Sequence, residues 1–551
     1  MGGITTAMNM HLVIPNKPTG YNRLIISSFG RKPSKVWCMA STASAHVSGL
    51  DHPSSHVQHN PPRRSGNYGP TAWDFNYLQS LNSEYDERYL RRASELKEEV
   101  KKMLVQEKEL SSVEELLELI DDLQRLGISY HYEDEINQML GCLYEQKYGV
   151  GKNNSEETER DLYSTALEFR LLRERGFIVP QAIFDCFRNE KGDFDPSLGH
   201  DTKGLLQLYE ASFLSTPGEK TLDLAENLPP IFCRKILMKR LMRACRYWSP
   251  DVNRLVLELA KLDFNIVQTT HQQELKHVYE WWKQTGIAEN LPFARDRMVE
   301  CYFWTTGVFS HPQYSYPRIV TAKLNALITV IDDIFDVYAT HQELQLFNNA
   351  IQRWDVEAMD QLPNYMRICY LALYNFINET AYEVLKQQGL LIIPHLRKSW
   401  ADLCRTYLQE AEWHLRGYTP TMEEYMNNAW ISISAPVILS HAYFLVANPI
   451  EKEDEVKRGD VPKSIQCYTN ESGGSGEEAV EYIRIVIGET WKDMNQEAFV
   501  AEDTPFPQDF VRIAADLGRM AQYMYQDGDG HGIQNCDIKT RISTLLFHPI
   551  L

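Results

Sequence analysis

The chain has 551 residues, of which 43% are hydrophobic and 11% aromatic, so it is long enough and apolar enough to form two or more sizeable cores. Its net charge of −19 disfavours nucleic acid as a partner, because binding the phosphates of nucleic acid needs a basic surface. The ten cysteines include no CxxC pair, which argues against a zinc site or a disulfide framework and fits a reducing compartment.

Residues 1–62 differ in composition from the rest of the chain. They contain five basic residues, one acidic residue, eight serines and four threonines. This composition is typical of a transit peptide that directs a protein to an organelle. The alternative is a disordered tail without a targeting function. Directly after this segment stand Arg63 and Arg64, followed by eight residues and then Trp73.

The region from Trp73 to about residue 286 is predicted to form one amphipathic helix after another. Residues 89–107 and 112–126 show the helical period, and Gly127 is the predicted stop of the second helix. No alternating pattern typical of strands persists. The pair Asp121-Asp122 is interpreted as a solvated helix end, because no third acidic residue completes a metal motif. These patterns predict an all-α fold.

Residues 227–250 contain six basic residues and no acidic residue, which is unusual in an acidic chain. One interpretation is a basic helix that binds a partner protein, as calmodulin targets do. The other is a segment altered or shortened in its coding sequence.

Arg295-Asp296-Arg297 places two guanidinium groups one residue apart, and such groups hold diphosphates well through forked hydrogen bonds. The alternative is a surface pair with Asp296 and Glu300. Three consecutive aromatic residues then end at Trp304. Aromatic faces attract cations, although aromatic residues also fill ordinary cores.

Residues 324–338 are largely apolar, and their only charged residues are Asp332, Asp333 and Asp336. The apolar residues follow the i, i+3, i+4, i+7 pattern of a helix, so the carboxylates converge near one edge. Like charges at this spacing repel, and hard carboxylate oxygens suit Mg²⁺ or Mn²⁺ as a counter-ion. Because Mg²⁺ commonly takes only one or two protein carboxylates and adds water and phosphate oxygens, the motif indicates a diphosphate substrate. The alternative is a solvated acidic patch.

The longest uncharged run, residues 425–450, could cross a bilayer by length. It contains several polar residues and Pro436, so a buried and kinked helix is the preferred interpretation.

Three of these patterns, in this order, resemble motifs of class I terpene synthases. Asp332-Asp333-Ile334-Phe335-Asp336 resembles the DDxxD motif, and Arg295-Asp296-Arg297 resembles the RxR element. Arg63, Arg64 and Trp73 match the RR(x)8W signature of plant monoterpene synthases. The resemblance covers about residues 63–551.

The resemblance implies an all-α fold of two helical domains. Residues 63–285 would form the N-terminal helical domain and residues 286–551 the C-terminal class I terpene synthase α-bundle, after a plastid transit peptide of residues 1–62. The implied enzyme is a carbon–oxygen lyase of the chloroplast stroma, a monoterpene synthase that ionises geranyl diphosphate with Mg²⁺ or Mn²⁺ to an acyclic or cyclic product. A monomer without a membrane span is expected.

The family's functional residues are carried over by matching motifs. Metal ligands are Asp332, Asp333, Asp336 and Glu455. Diphosphate ligands are Arg295, Arg297 and Lys463. The remaining catalytic candidates are Trp304, Tyr525, and the pair Arg63 and Arg64, which resembles a pair tied to isomerisation before cyclisation. The glycine-rich loop 528–532 could close over the pocket. The family usually has His where Asp527 stands, which puts a base role at that position in doubt.

The sequence departs from the family in two places. At residues 227–250 it lacks a longer stretch rich in Leu, His and Trp. After residue 450 it lacks most of the helix that carries the second metal motif, and Glu455 aligns only with the last Glu of that motif. We therefore expect weak or absent activity in the chain as written. The alternatives are a non-catalytic homologue that binds a ligand or partner, and a prenyltransferase-like enzyme, although no second aspartate-rich motif is found.

Overall fold

The all-α prediction is confirmed by a computed structural model. It describes residues 68–82, 87–110, 112–149, 161–226, 253–446, 476–499, 506–525 and 536–550, together with residues 468, 471–472 and 531. Within these ranges the only β-type pairing is an isolated bridge between Arg188 and Phe194.

Seven helices of the described chain precede a long shared helix. They are α1 (Phe75–Ser80), α2 (Glu87–Leu110), α3 (Val113–Arg125), α4 (Glu133–Tyr148), α5 (Leu162–Glu174), α6 (Thr202–Ser212) and α7 (Lys220–Glu226). The predicted bounds of α3 are confirmed. The Ser112 hydroxyl caps the start of α3 by accepting from the Glu115 N–H. Gly127, just after the end of the helix, has a left-handed backbone with φ of +76°.

The helix α8 (Arg254–Thr285) belongs to two hydrophobic cores. Its first turns, with Val256 and Leu259, pack among α2–α7. Its last turns, with Val278 and Trp282, pack in the C-terminal core. Trp73 before α1 is also part of that second core, although it lies far from it in sequence. The domain boundaries at residues 62 and 285 stay a prediction.

Eleven described helices follow α8, and most of them contribute to the C-terminal core. They are α9 (Ile287–Asn290), α10 (Met298–Val308), α11 (Ser315–Asp333), α12 (His341–Arg353), α13 (Asn364–Gln388), α14 (Ile393–Arg416), α15 (Met422–Ser432), α16 (Ala435–Val446), α17 (Gly476–Phe499), α18 (Gln508–Tyr525) and α19 (Cys536–Phe547). A π-helical turn, Ile334–Tyr338, continues α11.

A row of buried amide side chains on α8 anchors the end of α19. Gln268 donates to the carbonyls of Leu545 and His548 at 2.9 and 3.0 Å, and Gln272 donates to the carbonyl of Leu546 at 2.9 Å. The last carbonyls of a helix have no partner within the helix, so these amides satisfy them. The C-terminal helix is thereby fixed against α8.

The uncharged run predicted as one kinked helix is divided into α15 and α16. The break lies at Ser434, whose φ of +68° is strained for a residue with a side chain. Among the described residues, Met422–Val446 is the one stretch that is long and apolar enough to cross a membrane by composition. In this structure it forms two helices that pack against α14 and α18.

The interpretation of Asp121 as solvated was wrong. Asp121 is buried and accepts a hydrogen bond at 2.7 Å from Arg125 and another from Arg170 on α5. A buried carboxylate needs such partners. Arg125 is the i+4 neighbour that the sequence shows, but Arg170 reaches Asp121 only through the packing of α5 on α3.

An ion pair between Arg318 and Glu274 lies at the centre of the C-terminal core. Both side chains are buried, and Arg318 Nε and Nη2 donate to the two Glu274 oxygens at 2.9 and 2.8 Å. Arg318 also donates to the carbonyls of Phe309 and His311, which fixes the loop between α10 and α11. This loop connects α10, which carries Trp304, to α11, which carries Asp332.

We expect Arg318→Met to destabilise the protein by about 3–5 kcal/mol, because it leaves the Glu274 carboxylate buried without its cation. The measurement is the urea midpoint of the far-UV circular dichroism. The control is Arg405→Met, which removes an exposed pair with Asp402 on α14 and should cost about 1 kcal/mol or less. Equal midpoints for the two variants would contradict the role of the buried pair.

Candidate active site

A cavity in the C-terminal bundle comprises about 1010 Å³ of empty space, counting the open solvent at its mouth. Its walls combine acidic, aromatic and apolar side chains. They are Arg295, Trp304, Asn325, Ile328, Thr329, Asp332, Asp336, Tyr407, Glu410, Tyr425, Ala429, Ser432, Ile433, Ser434, Ile438, Tyr525 and His531. A mostly apolar pocket with a few polar groups at one end is the usual form of a small-molecule site.

The aspartate motif lies where α11 changes into the π-helical turn. The Ala339 N–H donates to the Ile334 carbonyl at 3.0 Å, which is the i→i+5 bond of a π-helix. Asp332 precedes this change and Asp336 follows it, and both line the cavity. The sequence predicted a regular helix here, so the π-helical turn was missed.

Asp333 is directed away from the cavity and pairs with Arg295. Its side chain is 0% exposed, and its Oδ2 accepts from the Arg295 backbone N–H at 2.7 Å. Its Oδ1 accepts from Arg295 Nε and Nη2, both at 2.9 Å. Both oxygens are thus used by one arginine. This placement does not support the predicted metal role of Asp333. In the described geometry, Asp333 holds Arg295.

Arg295 bridges two of the three aspartates. Its Nη2 also donates to Asp332 Oδ2 at 2.6 Å, and its side chain is 5% exposed. Burial raises the pKa of Asp333 to about 6, with the neighbouring Asp332 adding to the rise while Arg295 opposes it. Burial lowers the pKa of Arg295, but Asp332 and Asp333 more than reverse this and raise it above its usual value. The alternative of an ordinary surface pair for the RxR element is therefore wrong for Arg295.

Arg297 is buried next to the cavity and does not line it. Its Nη1 donates to the Asp296 carbonyl at 2.9 Å and its Nη2 to the Gly69 carbonyl at 3.3 Å. The RxR element thus separates into one arginine at the cavity and one that holds the segment before α1.

The two aromatic candidates come together in the cavity. The rings of Trp304 on α10 and Tyr525 at the end of α18 have centroids 6.2 Å apart and both line the cavity wall. Tyr407 and Tyr425, from α14 and α15, add two further aromatic faces that the sequence analysis did not single out. Nothing in their local sequence distinguishes them from core residues.

Glu410 on α14 is a third carboxylate of the cavity, and the sequence analysis missed it. Its Oε1 accepts from Asn428 Nδ2 at 3.0 Å, and it lines the same cavity as Asp332 and Asp336. It lies in no recognisable motif, so only the packing of α14 beside α11 shows its position. Three oxygen donors on one cavity suit a divalent cation that prefers carboxylates.

His531 was not singled out as a site residue in the sequence. The structure places its Nε2 at 3.2 Å from Thr329 Oγ1, on the cavity wall. The Thr329 hydroxyl donates to the Asn325 carbonyl at 2.8 Å, so it accepts from His531. Burial, with Arg295 and Arg297 nearby, lowers the pKa of His531 to about 3, and the imidazole is neutral at physiological pH. Its position in the glycine-rich loop 528–532 was the signal available in the sequence.

Four candidate residues lie outside the described residues: Arg63, Arg64, Glu455 and Lys463. The basic segment 227–250 and Asp527 lie there too. In the part of the chain that the structure describes, His, Cys, Asp and Glu side chains form no group of three or more close enough to enclose a metal ion. The oxygen donors fit a cation that completes its coordination with water and substrate phosphate.

Comparison with known families accounts for this arrangement. The model of the terpene synthase metal-binding domain matches residues 283–456 and 450–493, and that of the terpene synthase N-terminal domain matches residues 72–257. The chain belongs to the terpene synthase family. The resemblance seen in its motifs is confirmed, and so is its class as a lyase of this family.

Similar proteins include plant terpene synthases with known products. A (−)-alpha-terpineol synthase of Vitis vinifera is 47% identical over 546 residues, which cover 89% of this chain and 91% of that protein. A chloroplastic limonene synthase of Coffea arabica is 48% identical over 546 residues, covering 89% of each chain.

Solved structures of the family share the fold of this terpene synthase. Limonene synthase bound to 2-fluorolinalyl diphosphate has a TM-score of 0.81 at 44% identity, covering 89% of this chain and all of that one. Isoprene synthase from grey poplar leaves, with three Mg²⁺ ions and dimethylallyl-S-thiolodiphosphate, has a TM-score of 0.74 at 36% identity, covering 87% of this chain and 99% of that one. The C-terminal bundle is a class I terpene synthase domain with the family's divalent-metal chemistry.

The comparisons also bear on the missing segments. Each alignment is 546 positions long but includes only 89% of the 551 residues of this chain. Several dozen positions of each relative therefore have no counterpart here. The metal-binding family model matches in two parts that meet at residues 450–456, where the sequence analysis found the helix shortened.

We expect Asp332→Ala and Asp336→Ala each to weaken binding of Mg²⁺ with inorganic pyrophosphate and to remove nearly all turnover. Loss of a few kcal/mol of charge stabilisation lowers a rate by roughly a hundredfold or more. Calorimetry measures the binding, and circular dichroism should show unchanged helical content.

The matched control for these variants is Asp360→Ala, because Asp360 is exposed and does not line the cavity. It should behave like the unaltered protein. If either cavity variant kept more than half of the activity, the metal role of its carboxylate would be disproved.

Proposed function

We propose that this terpene synthase is a plastid monoterpene synthase that converts geranyl diphosphate, with Mg²⁺, into an acyclic or cyclic monoterpene and diphosphate. The observation that carries the proposal is the composition of one cavity. Asp332, Asp336 and Arg295 line it together with the aromatic side chains of Trp304 and Tyr525. The similarity to limonene and terpineol synthases supports a ten-carbon substrate.

In this cavity, Asp332 and Asp336 would hold Mg²⁺, with water and the diphosphate oxygens completing its coordination. When bound, the metal supplies Lewis-acid charge that neutralises the diphosphate as the allylic C–O bond breaks. Arg295, already placed by its pair with Asp333, would hold the departing diphosphate through its forked donors. We assign Arg297 and Lys463 to the same leaving group, with Arg297 acting from the layer behind the cavity.

In the same cavity, the aromatic faces of the chain would stabilise the allylic cation after ionisation. The rings of Trp304, Tyr407 and Tyr525 offer electron-rich faces, and a cation is attracted to such faces when water is excluded. Ile328 and Ile438 supply apolar surface that keeps water from the cation. The shape of the cavity around these rings would decide whether the cation cyclises.

The reaction would end with proton loss or with capture of water. His531 is a neutral imidazole on the cavity wall, and we propose it as the group that takes the proton. A neutral acceptor suits this role, because an imidazolium would repel the cation and could not accept a proton. Its lowered pKa is no obstacle, since a carbocation is a far stronger acid than an imidazolium ion.

The remaining assignments concern residues beyond the described ranges. We propose that Arg63 and Arg64 assist isomerisation before cyclisation, that Glu455 is the remaining ligand of the second metal motif, and that residues 1–62 direct the protein to the plastid stroma. The chloroplastic limonene synthase among the similar proteins supports the plastid assignment. We propose that the enzyme is a monomer.

The test of the proposal is gas chromatography of the products formed by the purified 63–551 chain from geranyl diphosphate with saturating Mg²⁺. Monoterpenes support the proposal, longer diphosphates would indicate a prenyltransferase, and no product would indicate a non-catalytic homologue. A second chain carries the relatives' helix inserted between Glu453 and Asp454.

The inserted helix should raise turnover at least tenfold, the equivalent of about 1.4 kcal/mol, because it restores metal ligands and one wall of the pocket. Equal turnover by the two chains would show that the shortened segment is sufficient. If neither chain is active, the altered segment 227–250 becomes the next candidate, and inserting the relatives' stretch there is the following experiment.

Removal of residues 1–62 should leave the thermal midpoint unchanged, because a transit peptide contributes nothing to the folded enzyme. A chain that begins after Trp73 should lose cyclic products first. Thermal melting and product analysis measure the two effects. A clear fall in the midpoint on removing residues 1–62 would refute the transit-peptide interpretation.

A further inference from the structure

A short segment before α1, residues 68–73, lies against the arginine and aspartate cluster of the cavity. Arg297 donates to the Gly69 carbonyl at 3.3 Å, and the Trp73 indole donates to the buried Glu300 Oε1 at 3.0 Å. These contacts join a segment at one end of the described chain to residues more than 220 positions later. The segment is thereby fixed to Arg297 and Glu300, next to Arg295 in sequence.

Tyr68 makes two different contacts with this cluster. The guanidinium carbon of Arg295 lies 5.1 Å from the centre of the Tyr68 ring, a distance typical of a cation–π contact. The Tyr68 hydroxyl also interacts with the nearby Asp333 carboxylate. Burial, together with the charge of Asp333, raises the pKa of Tyr68, so the phenol keeps its proton.

We propose that Tyr68 is a positioning residue for the ionisation step, because it holds the Arg295 guanidinium and the Asp333 carboxylate in the arrangement that presents Arg295 to the diphosphate. The inference rests on the proposed function of the cavity in ionising a prenyl diphosphate. Tyr68 does not line the cavity and touches no reacting atom. It acts through Arg295 and Asp333.

The physical reason is preorganisation. A free arginine side chain has many rotamers, and ordering it when the substrate binds would cost conformational entropy. Asp333 fixes the guanidinium through its edge, whereas the Tyr68 ring contacts its face. The phenol hydroxyl near Asp333 in turn restrains this carboxylate, whose two oxygens already accept from Arg295. The cluster is therefore set before substrate arrives, and small displacements of such groups are costly to a rate.

The experiment compares Tyr68→Phe with Tyr130→Phe in the full chain. Tyr130 is a matched control, since its hydroxyl also donates to a carboxylate, Asp263 Oδ2 at 2.6 Å, and it does not line the cavity. Three quantities are measured: the affinity for inorganic pyrophosphate with saturating Mg²⁺, kcat and KM for geranyl diphosphate, and the thermal midpoint.

Tyr68→Phe should weaken pyrophosphate binding and lower kcat by about tenfold each, the size expected for one hydrogen bond to a charged group. Tyr130→Phe should change neither, and the two variants should melt at the same temperature. In an Asp333→Asn background, Tyr68→Phe should cause little further loss, because its effect passes through Asp333.

The inference is overturned if Tyr68→Phe matches the control in pyrophosphate affinity and kcat, or if its loss is just as large in the Asp333→Asn background. It is also overturned if the loss of affinity is accompanied by a melting point several degrees below that of the control, which would indicate a structural role alone.

A chain that binds pyrophosphate but does not turn over geranyl diphosphate would disprove the proposed function, and the affinities would still decide the role of Tyr68. Absence of pyrophosphate binding by the unaltered chain would overturn both.

Discussion

The buried pair between Arg295 and Asp333 is the constraint on which the candidate site depends. It joins the loop before α10 to the last turn of α11, at positions 38 residues apart in sequence. Removing one partner of such a pair typically costs 3–5 kcal/mol, because the other charge stays buried. The pair also explains why three neighbouring aspartates tolerate one another. One of them is neutralised within the protein, and the other two line the cavity.

The rest of the bundle holds the loop before α10 and the last turn of α11 at a fixed separation. α8 contributes to both hydrophobic cores, so the N-terminal helices and the catalytic bundle share one long element. The Arg318–Glu274 pair fixes the loop between α10 and α11. On the opposite side, the strained backbone at Ser434 ends α15 and begins α16 against the cavity. A rigid frame of this kind suits chemistry that depends on the shape of a dry pocket.

The described cavity brings together five of the residues predicted for the site. Asp332, Asp336, Arg295, Trp304 and Tyr525 all line it. The expected second metal motif falls at residues 450–456, where the two matches of the family model overlap. The ligands that this motif would supply stay a prediction, whereas the helices that position Asp332 and Asp336 are among the described residues.

The sequence by itself determined the helical class, the family and the ends of individual helices, because these depend on short-range chemistry. The 3.6-residue period, the Ser112 cap and the positive φ available to Gly127 act within one or two turns. The three ordered motifs were sufficient for the family, and they identified Asp332, Asp336, Arg295, Trp304 and Tyr525 as residues that the structure places on one cavity.

The tertiary structure alone decided what each of these groups faces. Asp333 turns to Arg295, Tyr68 stands behind both, and Glu410 and His531 reach the cavity from helices and loops far along the chain. The buried contacts of Asp121 and the π-helical turn after Asp333 were likewise missed. In each case the environment of the side chain is created by packing between distant segments, and a local sequence pattern contains no information about which partner arrives there.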